Sequence, residues 1–307
     1  MRITILGANG QLGRHLQRAL NGQHQVSALD RAHLDLTDST SIETVLSEHP
    51  CEVLINAAAY TAVDKAEEEE EAELAEQING QAVGQIGGWC EANQVMLIHF
   101  STDYVFGAGK PASGAWTEED TPRPKSVYGQ TKLLGDLQLL NNPYAYILRI
   151  GWVYSAQGAN FLLTMCRLMQ SLEELNVVND QFGTPTYTGT VVDAVQKLLV
   201  RQFSAGEDKA RLVDPANSSR VAPGMYHLGG SEVVSWYEFA CAIRDHLQQH
   251  TQLRVQKINS IPSKDYPQVA VRPGYSMLSH QKFCTATGFQ LPTWQDELSR
   301  CVSELTF

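Results

Sequence analysis

Basic residues are scarce in this sequence: 23 Lys and Arg stand against 34 Asp and Glu, a formal net charge of −11 over 307 residues. A surface so charged repels phosphate backbones, which excludes nucleic acid as a partner. An anionic small molecule must then be held locally, by helix N-termini and a few placed cations. Long apolar runs are also lacking. The opening MRITILGANG starts a strand at once, with no charged n-region and no stretch able to span a bilayer, so a cytoplasmic location and no membrane partner are expected. The six cysteines, Cys51, Cys90, Cys166, Cys241, Cys284 and Cys301, form no C-x-x-C pair. Neither a redox motif nor a zinc site is indicated, no metal is expected, and the thiols read as small buried hydrophobes. There is no internal repeat and no low-complexity tail.

What is there is ordinary globular material, 43% apolar and 19% charged, enough to bury a core. The length exceeds what one core fills, so one large α/β domain with a smaller lobe is expected. In the first half, short apolar runs at 2–6, 25–29, 52–55, 95–100 and 145–149 alternate with helical stretches at 12–20, 41–48, 72–92 and 126–140. That rhythm predicts a Rossmann-type, doubly wound parallel sheet whose ligands bind at the strands' carboxyl ends. Residues 1–150 form the expected dinucleotide-binding domain. Residues 151–307 form mainly a substrate-binding lobe, rich in Gly and Pro (GTPTYTGT, DPANSSRVAPG, IPSKDYPQVAVRPG), with 188–225 returning toward the sheet. Stretches at 191–201 and 236–247 read as helices. The acidic run 67–71 falls at a helix start, where carboxylates suit the positive end of the dipole.

Gly7, Gly10 and Gly13 follow the first strand and open the first helix. Without Cβ atoms such a turn lets a pyrophosphate approach, and the helix N-terminus offers it N–H groups. Asp30 ends the second strand, where a carboxylate takes the adenosine ribose hydroxyls, although the adjacent Arg31 suits a 2′-phosphate; NADH and NADPH both remain open. Asp35 either reaches the adenine or caps the next helix. Asn56-Ala57-Ala58-Ala59 leaves room for the cofactor after the third strand.

Tyr128 and Lys132, at i and i+4 in VYGQTK, leave one face of a helix. An ammonium beside a phenol favours the phenolate and brings the group toward proton transfer at neutral pH. The fourth strand exits through Ser101-Thr102-Asp103, so Thr102, or else Ser101, is positioned to hydrogen-bond a substrate carbonyl and stabilise an alkoxide.

The glycine turn, the Tyr/Lys pair and the preceding hydroxyl together resemble the extended short-chain dehydrogenase/reductase family. More narrowly, INAAAYTAVDKAE, STDYVFGAGK, VYGQTKLLGD, LRIGWVYS, NDQFGTPT and the R-P-x-x-S-x-L stretch at 272–278 are similar to the dTDP-4-dehydrorhamnose reductases, from residue 1 nearly to the C-terminus. The resemblance implies reduction of the C4 ketone of dTDP-4-dehydro-L-rhamnose by NADPH or NADH, with a nucleotide sugar as partner. It makes Tyr128 the proton donor and Lys132 its electrostatic partner and ribose anchor. It puts Thr102, Asp103 and Trp152 against the sugar, and Gly7, Gly10, Gln11, Leu12, Gly13, Asp30, Asp35, Leu36, Ala59, Tyr60 and Thr61 along the cofactor. Arg272 pairs with the diphosphate or forms a surface salt bridge. Some relatives dimerise around magnesium held by glutamates; His15 and Gly189 stand where those carboxylates would fall, so a monomer or weak homodimer is expected. The alternatives are another nucleotide-sugar reductase or epimerase, and a non-catalytic subunit resembling the regulatory subunit of methionine adenosyltransferase.

Overall fold

Strands whose every side chain is buried need a cover on both faces, and the central strands here are of that kind. In a computed structural model of the chain, which describes residues 1–107, 109, 111, 114–203 and 220–306, β1 (Arg2–Leu6), α1 (Gln11–Leu20), β2 (Gln25–Leu29), α2 (Ser39–Glu48) and β3 (Val53–Asn56) come first. Then follow α3 (Glu69–Glu76), α4 (Ala82–Ala92), β4 (Met96–Thr102), α5 (Val127–Leu139) and β5 (Ala145–Ile150). All of β3, β4 and β5 is buried, as expected of parallel strands sandwiched between helices.

The second half adds β6 (Val153–Tyr154), α6 (Phe161–Ser171), β7 (Glu174–Val178), β8 (Phe182–Gly183), β9 (Thr186–Tyr187) and α7 (Thr188–Gln202). It ends with β10 (Gly224–His227), β11 (Val234–Ser235), α8 (Trp236–Leu247), β12 (Lys257–Ile261), α9 (Gln281–Thr287) and α10 (Trp294–Val302). The main sheet runs β2-β1-β3-β4-β5-β10, and every pairing in it is parallel. Strand order reverses between β1 and β3, and a crevice opens beyond the carboxyl ends at such a switch point.

One core contains Ile3 and Ile5 of β1 together with Val191, Val195 and Leu198 of α7 and Phe283 of α9. Thus α7 and the late helix α9 both cover the sheet. A separate core under the second lobe gathers Leu162, Tyr187, Phe239, Trp294 and Leu298. Each such side chain contributes about 1.5–3 kcal/mol on burial, so the two lobes are held by their own cores.

Two sequence expectations change. The helix expected over 72–92 is interrupted by a π-turn, Gln77–Gln81, that separates α3 from α4. The cause is Asn79, buried between α5 and the loop after β3: its side chain donates to Tyr60 O and accepts from Tyr60 N, both at 3.0 Å, and donates to Thr131 Oγ1. Such an insertion re-aims a helix where a side chain must reach inward. GTPTYTGT, read as loop, supplies Gly183 of β8, β9 and the first turn of α7. The loop read over DPANSSRVAPG lies outside the described residues at 214–219. No described helix is long and apolar enough to cross a membrane.

Candidate active site

The nucleotide end is a turn that side chains would block. Gly7 has φ +74°, and a Cβ there would lie 2.6 Å from Ala58 N. A Cβ on Gly13 would collide with Gly7 O, and one on Gly10 would stand 3.2 Å from the same oxygen. Gly10 is also the N-cap of α1 and puts no side chain on the helix's first N–H groups. An anion is favoured at such an end.

Beyond this turn lies a cleft of about 570 Å³ along the switch point. Gly7, Gly10, Asp30, Asp35 and Leu36 line one side, and Ala59, Tyr60 and Thr61 line the other. Asp30 accepts from Asn9 Nδ2 at 2.5 Å and Ala32 N at 3.0 Å, and lies 2.6 Å from His33 Nδ1. The bond to His33 holds its carboxyl below the usual range, so it is an ionised acceptor at the end of β2. Asp35 accepts from Thr37 N and Oγ1 at 2.9 and 2.8 Å. The cap of α2 is instead Asp38, which accepts from Thr40 N. A dinucleotide fits these residues: the turn has room for a pyrophosphate, the alanines leave the backbone open, and Asp30 presents an ionised acceptor to the cleft.

Gln11 and Leu12 turn their side chains away from the cleft, so with Gly13 they have only the main-chain N–H groups that open α1 to offer a cofactor. Leu12 is buried in the sheet-side core and Gly13 packs on the Gly7 turn. Gln11 ties the lobes together, donating to Val153 O and accepting from Ser155 and Asn160. Its amide is therefore engaged away from the cleft.

At the chemical end, Ser126 caps α5 by accepting from Gly129 N. Tyr128 and Lys132 therefore leave consecutive turns near the start of α5. Lys132 is buried, and its Nζ donates to Phe100 O at 2.7 Å and lies 3.4 Å from His99 Nε2. Tyr128 is half-buried with its ring edge-on to Tyr104, centroids 5.4 Å apart. Burial pushes the phenol up to about 12, against the pull of the Thr102 hydroxyl beside it. Burial also draws Lys132 down to about 8, with Asp136 opposing. The expected lowering of the phenol is thus reversed. Desolvation outweighs mutual attraction, because the ammonium's donors are turned to β4 rather than to the phenol.

Consecutive residues of β4 face opposite sides. Thr102 takes the side of Tyr128, whereas Ser101 is buried with no hydrogen-bond partner for its hydroxyl among the described residues. Thr102 Oγ1 donates to Asp103 Oδ1 at 3.2 Å, and burial pushes the Asp103 carboxyl up to about 6. Gly151 admits that carboxylate, since a Cβ would lie 2.6 Å from its Oδ2.

Trp152 sits just past β5 at φ +48°, a conformation rare for a bulky residue. Its ring stacks on Trp236 at 3.4 Å and 1°, which joins the sheet edge to α8. Arg272 forms a two-pronged pair with Asp64, 2.6 Å and 3.1 Å, which also accepts from Val269 N and Ala270 N. Of the two roles the sequence left open, the guanidinium is found in the salt bridge. His15 Nδ1 lies 3.0 Å from Thr188 Oγ1, and Gly189 lies against the Tyr187 ring. Among the described residues no three His, Cys, Asp or Glu are grouped to hold a metal.

Asn79, His99, Asp64 and Trp236 were missed by sequence reasoning. Asn79 could have been found, as a lone amide on an otherwise apolar helix face. For the others no local signal existed, because their partners lie 33 to 208 residues away.

Known proteins resemble the chain over its whole length. The RmlD substrate binding domain family matches residues 1–307. A dTDP-4-dehydrorhamnose reductase of Aggregatibacter actinomycetemcomitans is 38% identical over 301 residues, 97% of each chain. One from Escherichia coli K12 is 36% identical, covering 99% of this chain and 98% of its own. The crystal structure of a dTDP-4-dehydrorhamnose reductase from Bacillus anthracis in complex with NADP superposes with a TM-score of 0.85 at 30% identity, covering 99% of both chains.

Proposed function

The chain belongs to the RmlD substrate binding domain family, and from that membership and the geometry of its site we infer that it reduces the C4 ketone of dTDP-4-dehydro-L-rhamnose, with NADPH or NADH as reductant. When bound, the reduced dinucleotide supplies the hydride that reaches C4. The glycine turn and the N-terminus of α1 hold its pyrophosphate, Asp30 its adenosine ribose, and Ala59 to Thr61 the far wall.

When substrate is bound the Thr102 hydroxyl turns its one proton from Asp103 to the carbonyl oxygen, and Tyr128 gives that oxygen its proton as negative charge develops. Carbon gains hydride, oxygen gains the tyrosine proton, and a phenolate remains. A phenol pushed up to about 12 suits this direction. It keeps its proton at neutral pH until a stronger base forms beside it, which a standing phenolate could not do. Asp103 holds Thr102, and Trp152 offers the sugar an apolar face. The same reading places the protein in the cytoplasm as a monomer or weak homodimer, with a nucleotide sugar as its partner.

The observation that carries the reading is the meeting of Thr102 and Tyr128 at the sheet's carboxyl edge, with Lys132 buried behind them. Purified protein is expected to oxidise NADPH or NADH only when dTDP-4-dehydro-L-rhamnose is added, read as loss of nicotinamide absorbance. Tyr128→Phe should lose about 10²- to 10⁴-fold in kcat with cofactor affinity retained. Wild-type protein that binds cofactor and never turns over would overturn the assignment in favour of a regulatory subunit.

A further inference from the structure

Between β5 and β6 the chain is pinned on both sides of Trp152. Gly151 packs on the Asp103 carboxyl, where a Cβ would lie 2.6 Å from Oδ2. Trp152 O accepts from Thr186 N at 3.2 Å as β6 begins its pairing with β9. With its neighbours fixed, Trp152 takes φ +48°, a conformation that a bulky residue keeps only where its surroundings impose it. The bend brings the indole against the second lobe.

One short ribbon there receives it. Val234 and Ser235 of β11 pair antiparallel with Gly183 and Phe182 of β8. Gly183 abuts the Nε1–Cε2 edge of the ring and leaves no room for a Cβ, while Trp236, next after Ser235, covers the face, with 3.4 Å between centroids and 1° between planes. A reciprocal cap fixes the turn that carries Trp236: Ser235 Oγ accepts from Glu238 N at 3.1 Å, and Glu238 Oε2 from Ser235 N at 2.7 Å. Phe161 backs the second indole at 4.5 Å. Free aromatic rings choose offset or edge-to-face contacts over full overlap, so the overlap is imposed by the two backbones and holds the Trp152 ring still. Trp152 is nonetheless only half-buried. Its open surface is therefore on the side away from Trp236.

We propose that Trp236 is a positioning residue for the sugar nucleotide: it fixes the Trp152 indole as a rigid wall, so that the hexose lies at one angle to Thr102 and Tyr128. The proposal rests on the reading of Trp152 as the sugar's apolar face. Trp236 acts through Trp152 and not on the reacting atoms. Orientation of this kind matters because the carbonyl must meet its donors and the hydride within a narrow range of distance and angle. An indole free to swing would let the sugar bind in several poses, of which one reacts.

The full chain labelled with fluorotryptophan carries five fluorine reporters, one for each tryptophan, and the Trp152 line is assigned by its loss in Trp152→Phe. In the wild type that line should be as broad as the tumbling of the whole protein requires. Trp236→Phe keeps a ring on the indole and should leave the line broad, whereas Trp236→Leu fills the space without a flat face and should narrow it. Calorimetry with the alcohol product, dTDP-L-rhamnose, should show binding weakened about tenfold in Trp236→Leu and rescued to within about threefold of wild type in Trp236→Phe. Dinucleotide affinity should be unchanged in both. A narrow Trp152 line in the wild type would overturn the proposal, as would product affinity in Trp236→Leu equal to wild type, or an equal loss in the two variants. Should Trp236→Leu not fold, the wild-type line and the affinity of Trp236→Phe decide. Neither readout needs turnover, so failure here is distinct from failure of the reductase reading, which shows as absence of wild-type turnover.

Discussion

The two ends of the cleft are made of different things. The nucleotide end is mostly backbone: Gly7, Gly10 and Gly13 pack one turn against itself, and Ala57 to Ala59 close the other side. The chemical end is buried side chains, with Lys132, Thr102, Asp103 and His99 all nearly inaccessible. Their aspartates show the contrast. Asp30 is exposed enough to be ionised and is held below the usual range by His33, whereas burial pushes Asp103 up to about 6. A binding surface for a dianion is built by leaving atoms out; a proton-transfer site is built by taking water out.

The comparison breaks first at Gly13. A Cβ there meets the oxygen and carbon of Gly7 and the Cα of Ala8, all main-chain atoms that cannot swing aside. Gly13→Val should cost about 3 kcal/mol in denaturant unfolding and weaken dinucleotide binding by more than about a hundredfold. Unchanged binding in titrations would mean that the turn does not form the pyrophosphate site.

The chemical end is sharpened by Asp103. Its carboxyl titrates near 3.8 when exposed and at about 6 in the fold. It is therefore protonated more readily when folded. The stability that this shift contributes is complete below about pH 4 and is lost as pH rises through about 6. Wild-type stability should decline across that window by about 2 kcal/mol more than that of Asp103→Asn. Parallel pH curves for the two proteins would show that the carboxyl is not desolvated.

This difference also explains how much was readable in advance. Glycine spacing survives in a sequence because the restriction is local, and the alternation of apolar runs with helical stretches did predict a parallel sheet with a cleft at its carboxyl edge. The Tyr128/Lys132 pair was equally visible as helical spacing. What spacing cannot carry is burial. The lowering of the phenol inferred from a neighbouring ammonium assumed that the two groups meet, yet Phe100 O and His99 take the lysine. The π-turn at 77–81 was hidden for a similar reason: Asn79 is drawn inward by Tyr60 and Thr131, the latter 52 residues away.

Arg272 stands between the two kinds of construction, a cation on the second lobe fastened to the loop beyond β3. Its partner Asp64 is 41% exposed, so solvent and salt screen the pair. Arg272→Ala should therefore destabilise the protein by less than about 1 kcal/mol, with the loss shrinking further as salt is added. The same variant tests what the guanidinium does in turnover. If the salt bridge is its whole role, KM for the sugar nucleotide stays near wild type. A large rise in KM at unchanged stability would instead mean that Arg272 leaves Asp64 for the substrate's diphosphate.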